Sequence, residues 1–316
     1  MITYLLRKLV IGLIPTLIGI SIITFIAIHL IPGTYVDVLV GTSDLTQEQL
    51  LTLNHTYGLD KPLPVQYWYW IRNVATGDFG NSLTTRIPVT EEIASRFLVT
   101  VELSVLSVLF SVCLAIPIGM ISAIKNNTLI DMLGRIVGLI GLSIPNFLVG
   151  TFLILFVSKY FPILPIVGFV PLKDGLFLNL KTMILPTFTL GLFMVASTMR
   201  MTRSSVIEEL KKEYVIVVKA KGVRQRIVYL SHVLRNSLIP VVTNIAIQTG
   251  YLLGGTIIVE ELFALPGIGR LAYSAVESRD YPVVQGVVLF MAVSFVVVNL
   301  IADISYGYLD PRIRKS

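Results

Sequence analysis

The residues able to do covalent or metal chemistry are few and scattered. His29, His55 and His232 lie far apart, and none belongs to an H-E-x-x-H pair, so their spacing offers no zinc site. No G-x-S-x-G elbow occurs, which leaves no strained nucleophile turn. No G-x-x-x-x-G-K-S/T segment occurs either, so the chain has no phosphate loop of its own for ATP. Cys113 is the single cysteine and lies in an apolar run. It cannot form an internal disulfide and reads as a packed apolar side chain. Asp303 reads as the one charge well inside an apolar run. Ion-driven carriers commonly keep charges near the bilayer midplane, so Asp303 is either a relay residue or a packing partner. A catalytic or metal role finds no support, and any energy source is expected on another polypeptide.

Polar and small residues inside apolar runs are the other candidates. Ser143, Pro145 and Asn146 interrupt one run. Asn244 and Gln248 lie four apart in another, on one face of a helix. Such side chains face a bundle interior, where they either line a pathway or hydrogen-bond between helices. Gly250 and Gly254 form a G-x-x-x-G pair with Gly255 beside it. Small residues there let helices approach closely, within this chain or against a second one.

The elements that must position these residues are membrane spans. Hydrophobic residues make up 54% of the 316 and charged residues 14%, against about 25% charged in soluble domains. Mean hydropathy is +0.82. Six runs are long enough to cross a bilayer as helices: Leu9–Leu30, Phe97–Ile124, Ile136–Ser158, Lys181–Met199, Leu238–Phe263 and Pro282–Leu309. The first exceeds a signal-peptide core and precedes no small-x-small cleavage site, so a retained helix is expected. The expected fold is an all-α integral membrane protein with about six transmembrane helices.

Most of the 25 lysines and arginines fall in segments that share one side with the N-terminus. By the bias of basic residues both termini are expected in the cytoplasm. Topology thus accounts for the net charge of +6 and the pI near 9.3, and no nucleic-acid partner is needed. The outer segment 32–96 is too polar to span. Thr46-Gln47-Glu48-Gln49 reads as a capping box, the helix it opens should stop near Gly58, and a second short helix should start near Pro64. Tyr67, Trp68, Tyr69 and Trp70 on it suit a water–lipid interface or a lip facing substrate or receptor.

The loop 200–237 is the most informative segment. Ser204 or Ser205 could cap a helix with Glu208 and Glu209 in its early turns. Gly222 permits a turn, and a second basic helix from about Arg224 leads into the membrane at Pro240. A helix–glycine–helix element along the membrane surface suits a knob held against a partner; an ordinary positive-inside loop is the plainer reading.

The stretch from Glu213-Tyr214 through Ala220-Lys221-Gly222, followed by Leu234-Arg235-Asn236-Ser237-Leu238-Ile239-Pro240, resembles the cytoplasmic loop of ABC-importer permeases of the dipeptide/oligopeptide class. Leu265-Pro266-Gly267-Ile268-Gly269-Arg270-Leu271 and Arg279-Asp280-Tyr281-Pro282-Val283-Val284-Gln285-Gly286 are similar to that family's segment before the last span, Asp303 and Leu309-Asp310-Pro311-Arg312-Ile313-Arg314 resemble its C-terminus, and Tyr57-Gly58-Leu59-Asp60-Lys61-Pro62 with Gly77-Asp78-Phe79-Gly80 resembles the outer segment of the B-type partner in the permease pair. The resemblance implies a type I importer permease fold. Its parts are a first helix within 1–31, an extracytoplasmic segment 32–96, a permease core 97–309 holding the coupling loop 200–237, and a cytoplasmic tail 310–316. It also implies a second homologous permease, two ATPase subunits and an extracytoplasmic substrate-binding protein. No cofactor is expected on this chain; ATP and Mg²⁺ would sit on the ATPases. Glu213, Tyr214, Ala220, Lys221, Gly222 and Arg224 are the expected docking residues. Ile216-Val217-Val218 stands where the general importer motif carries Glu-Ala-Ala, and Thr34-Tyr35 follows Pro32-Gly33 where the family has Asp-Pro. The class serves dipeptides, longer peptides, nickel or oligosaccharides. A secondary carrier or channel and an intramembrane enzyme are the readings from other classes.

Overall fold

The computed structural model describes residues 14–30, 52, 55, 58, 60–253 and 256–309, of which 302–309 are described by backbone alone. In chain order the helices are α1 (Ile14–Leu30), α2 (Leu63–Ala75), α3 (Val89–Ile124), α4 (Leu129–Ser143), α5 (Asn146–Tyr160), α6 (Leu176–Leu210), α7 (Glu213–Ala220), α8 (Gln225–Ile227), α9 (Leu234–Leu253), α10 (Ile257–Leu262), α11 (Ile268–Glu277) and α12 (Tyr281–Leu309). A π-helical stretch, Val228–Val233, joins α8 to α9 without a break. No strand occurs among the described residues, only an isolated bridge between Asn81 and Pro88. The expected capping box at Thr46 lies outside the described residues, as do Gly254 and Gly255 and the side chain of Asp303. The second outer helix begins as expected, with a proline in its first turn.

Among the described residues three helices are long and apolar enough to cross a membrane: α3, α6 and α12. The expected third span is instead the pair α4 and α5, bent by 99°. Pro145 causes the break. Its ring disfavours a helical residue before it, and Ile144 is extended at φ −88°, ψ 123°. The expected fifth span likewise divides, because α9 ends at Leu253 and α10 starts anew at Ile257. The expected fourth span is only the middle of α6, which runs for 35 residues with Pro186 inside it. No helix starts at Ser204 or Ser205. Glu208 and Glu209 close α6, where the chain turns at Lys211. Cys113 is exposed on α3 rather than packed. Glu102, with a buried carboxylate oxygen that meets no hydrogen bond, joins Asp303 as a charge within a span.

The chain divides into two compact units, one of residues 1–100 and 266–296 and one of residues 101–265 and 297–316. In the first, α1 packs on α2. The hydroxyls of Ser21 and Tyr67 lie 2.9 Å apart, and Phe25 meets the rings of Tyr67 edge-on at 5.4 Å and Trp70 stacked at 6.2 Å. The aromatic row is thus split: Tyr67 and Trp70 turn towards α1, and Trp68 and Tyr69 stay exposed. Val89, Ile93, Ile268, Leu271, Val284 and Val287 form the core of this unit. Buried Asp280 ties its ends, accepting from Ser82 Oγ at 2.6 Å and from the Thr84 N–H at 3.0 Å. In the second unit α6 is the central rod, with α4, α5 and α9 packed along it.

Candidate functional site

Two features of the second unit could do work: a chamber at the two helix breaks and a knob at the far end of α6. The chamber, of about 710 Å³, is lined by Pro145, Asn146 and Phe147 at the first break and by Thr256, Ile257, Ile258 and Val259 at the second. Leu190, Phe193 and Met194 of α6 and Gln248, Tyr251 and Leu252 of α9 complete it. Such a volume suits a small solute. Its wall is mostly apolar and bears no charged side chain.

The expected pathway residues divide here. Pro145, Asn146 and Gln248 meet in the chamber. Ser143 does not line it; its hydroxyl turns back to the Leu139 carbonyl at 2.8 Å. Asn244 Nδ2 reaches Ser197 Oγ at 3.5 Å, and Gln248 Nε2 donates to Thr198 Oγ1 at 3.3 Å. These residues therefore join α9 to α6. Gln248 also lines the chamber, and its Oε1 is buried without a hydrogen-bond partner. An orphaned buried acceptor costs about 1–3 kcal/mol, and a donor on a passing solute would satisfy it. Gly250 is buried in α9. Gly150 of α5 lets α10 come close: a Cβ there would stand 2.6 Å from Leu262 Cδ2.

The knob is α7 with the turn after it. Val215 is fully buried and packs with Ala123, Val206, Val228 and Val233, at about 2 kcal/mol for each large side chain removed from water. Tyr214 and Val218 flank that cluster. The Tyr214 hydroxyl donates to Glu209 Oε1 at 2.6 Å and accepts from Asn236 Nδ2 at 3.0 Å. Lys212 Nζ closes on Glu209 Oε2 at 2.5 Å. Burial, and then the Glu209 carboxylate, hold the Tyr214 phenol above its ordinary value. It therefore keeps its proton and stays a donor. This clamp ties the knob to the last turn of α6 and the start of α9.

Of the six expected docking residues, Glu213, Ala220, Lys221, Gly222 and Arg224 are exposed. Tyr214 is turned inward and fixes the knob instead. The run Ile216-Val217-Val218 divides too: Val218 faces the cluster, whereas Ile216 is 61% exposed and Val217 52%. Gly222 closes the turn at φ +74°, and its N–H donates to the Lys219 carbonyl at 3.0 Å. Tyr214→Phe removes the donor to Glu209 and the acceptor for Asn236. It should loosen the knob, so that backbone amides of α7 exchange hydrogen faster than in the wild type, as measured by hydrogen–deuterium exchange.

A buried ion pair joins the start of α4 to α6, and sequence reasoning missed it. Asp131, fully buried at the start of α4, receives Arg203 Nε at 2.6 Å and Arg203 Nη2 at 2.9 Å. Ser122 Oγ at 2.7 Å and the Asn127 N–H at 3.1 Å complete its shell. Arg203 Nη2 also reaches Asn126 Oδ1 at 3.0 Å. The partners lie 72 positions apart; the local signal was Arg135, four residues on, whose Nε lies 3.6 Å from Asp131 Oδ2.

Among the described residues an all-α arrangement with long apolar helices and one bent helix pair fits a multi-pass membrane protein. Residues 115–315 match the family described as binding-protein-dependent transport system inner membrane component, and residues 1–104 match its N-terminal membrane-component counterpart. The chain belongs to this family and is a permease subunit of an ABC importer. It is similar to the glutathione transport system permease protein GsiC of Salmonella typhimurium, 40% identical over 314 residues covering 99% of each chain. It is equally similar to the dipeptide transport system permease protein DppB of Escherichia coli, 40% identical over 338 aligned positions covering 99% of each. Membership places it in the inner membrane and implies ATPase and binding-protein partners in general.

Proposed function

We propose that this chain forms half of the pathway of a short-peptide importer and couples it to ATP hydrolysis on separate subunits. The other half is a second homologous permease, two ATPases carry ATP and Mg²⁺, and an extracytoplasmic binding protein delivers the peptide. The relatives named for dipeptide and glutathione transport support this substrate class. The bias of basic residues supports a cytoplasmic position for both termini and the knob. Glu213, Ile216, Val217, Ala220, Lys221, Gly222 and Arg224 form the contact surface for an ATPase, and Tyr214 fixes its shape.

One observation carries the reading. A single helix, α6, walls the chamber through Leu190, Phe193 and Met194 and ends in the clamp that holds the knob. When the ATPases close and push the knob, the chamber wall moves with it, which is rigid-body alternation of access. The four subunits reconstituted in proteoliposomes with the binding protein should accumulate a labelled dipeptide or glutathione only with ATP. Gln248→Leu, which removes the orphaned acceptor, should cut that uptake about tenfold, as loss of one buried hydrogen bond implies. Uptake that needs an ion gradient and no ATPase would sink the proposal. Accumulation of nickel or an oligosaccharide but no peptide would overturn its substrate class.

A further inference from the structure

The first unit contains a cleft of about 660 Å³ that plays no part in the coupling described above. Its lining has a mixed chemistry. Lys61 and Arg86 supply two permanent cations and Asp78 one carboxylate. Tyr69, Trp70 and Tyr281 supply aromatic walls. The chamber of the second unit has neither kind of charge, so the two cavities suit different parts of a solute.

Four details show that the cleft is built. Arg86 sits at φ +66°, a left-handed conformation rare for a residue with a side chain. Its N–H donates to the Ser82 carbonyl at 3.1 Å, which holds that turn. Strain of this kind gathers at ligand sites. Asp78 is fixed as well: its Oδ1 accepts from the Gly80 N–H at 2.8 Å. Trp70 directs a buried indole N–H that finds no acceptor, and buried donors of that kind normally have one. Lys61 lies 4.5 Å from the centre of the Tyr69 ring, which positions its ammonium at the wall.

We propose that this cleft binds a short peptide through both of its charged termini. The cations and the indole N–H take the carboxylate, Asp78 takes the ammonium, and the aromatic rings hold the body between them. A zwitterion is the ligand that satisfies both signs of charge in one cleft. This inference rests on the short-peptide reading above, which places the cleft on the extracytoplasmic side. The site would hold substrate before it reaches the chamber.

The test measures equilibrium binding of alanyl-phenylalanine to the assembled permease–ATPase complex in nanodiscs, without ATP and without binding protein. Its N-acetylated, C-amidated form is the control, having the same body and no charged termini. Arg86→Asn keeps a residue tolerant of the left-handed turn and removes the charge. Asp78→Asn keeps an oxygen for the Gly80 N–H and removes the charge. Each should weaken binding of the free dipeptide about tenfold and leave binding of the blocked form unchanged; Gln248→Leu in the chamber should leave the tightest site intact. The proposal is overturned if free and blocked dipeptides bind alike, if neither charge variant alters binding, or if phosphoethanolamine displaces a bound lipid from the cleft while the dipeptide does not. ATP-driven uptake without this binding pattern would leave the importer reading standing and remove the cleft. The pattern without ATP-driven uptake would do the reverse.

Discussion

Asp131→Ala should lower the apparent unfolding temperature of the solubilised subunit more than any other single polar substitution outside the knob. The carboxylate is fully buried and accepts four hydrogen bonds, from Arg203 Nε and Nη2, Ser122 and Asn127. Removing it strands a guanidinium that is only 20% exposed. Breaking a buried pair by deleting one partner costs about 3 kcal/mol or more, because the survivor is left charged and uncompensated. Arg203 keeps Asn126 as a partner, which places the effect at the lower end. Asp131→Asn keeps the shape and should lose less. Removing both charges, with Arg203→Met on the Asp131→Asn background, should recover part of the loss. A thermal-shift series on the purified complex checks the order. If Asp131→Ala melts with the wild type, the pair does not hold α4 to α6.

Gly222→Val should separate ATP hydrolysis from transport. The glycine has φ +74°, and a Cβ built on it would meet nothing within 4 Å in this chain. The chain itself therefore has room for a side chain, and the cost has two sources. The left-handed backbone costs an L-residue about 1–2 kcal/mol. The added methyls also project from the exposed surface into whatever docks there. Gly222→Asn separates the two, since asparagine tolerates this conformation. Uptake by the valine variant in proteoliposomes should fall about tenfold or more, with hydrolysis retained and the subunit still inserted. The asparagine variant should fall less. Normal uptake by Gly222→Val would remove the turn from the docking surface.

Much of this was legible in sequence because hydrophobic run length and proline placement are local signals. Pro145 marked an interruption in a run expected as one span, and the 99° bend found there was not foreseen. Pro64 and Gly222 marked a helix start and a turn that the structure bears out. The α6 boundary was misjudged because the serines at 204 and 205 signal a cap only where the preceding chain leaves the helix. Here Met199–Thr202 continue it, and Thr202 returns its hydroxyl to the Thr198 carbonyl at 2.8 Å. The inward turn of Tyr214 and the Asp131–Arg203 pair were illegible for a different reason. Both depend on partners far apart in sequence, Asn236 for Tyr214 and Arg203 for Asp131, which carry no periodic signature.

Pro186 inside α6 gives that helix a pivot. Proline lacks the N–H that would bond the carbonyl one turn back, so a helix bends most readily there. At 1.5 Å per residue, Met194 lies roughly 12 Å from the pivot and Glu209 roughly 35 Å. The segment between them is unbroken helix. The rod therefore works as a lever with unequal arms: a swing that carries the knob by about 3 Å carries the chamber wall by about 1 Å. If ATPases push the knob as proposed, displacement shrinks by that ratio and force grows by it, and their movement reaches the chamber shortened.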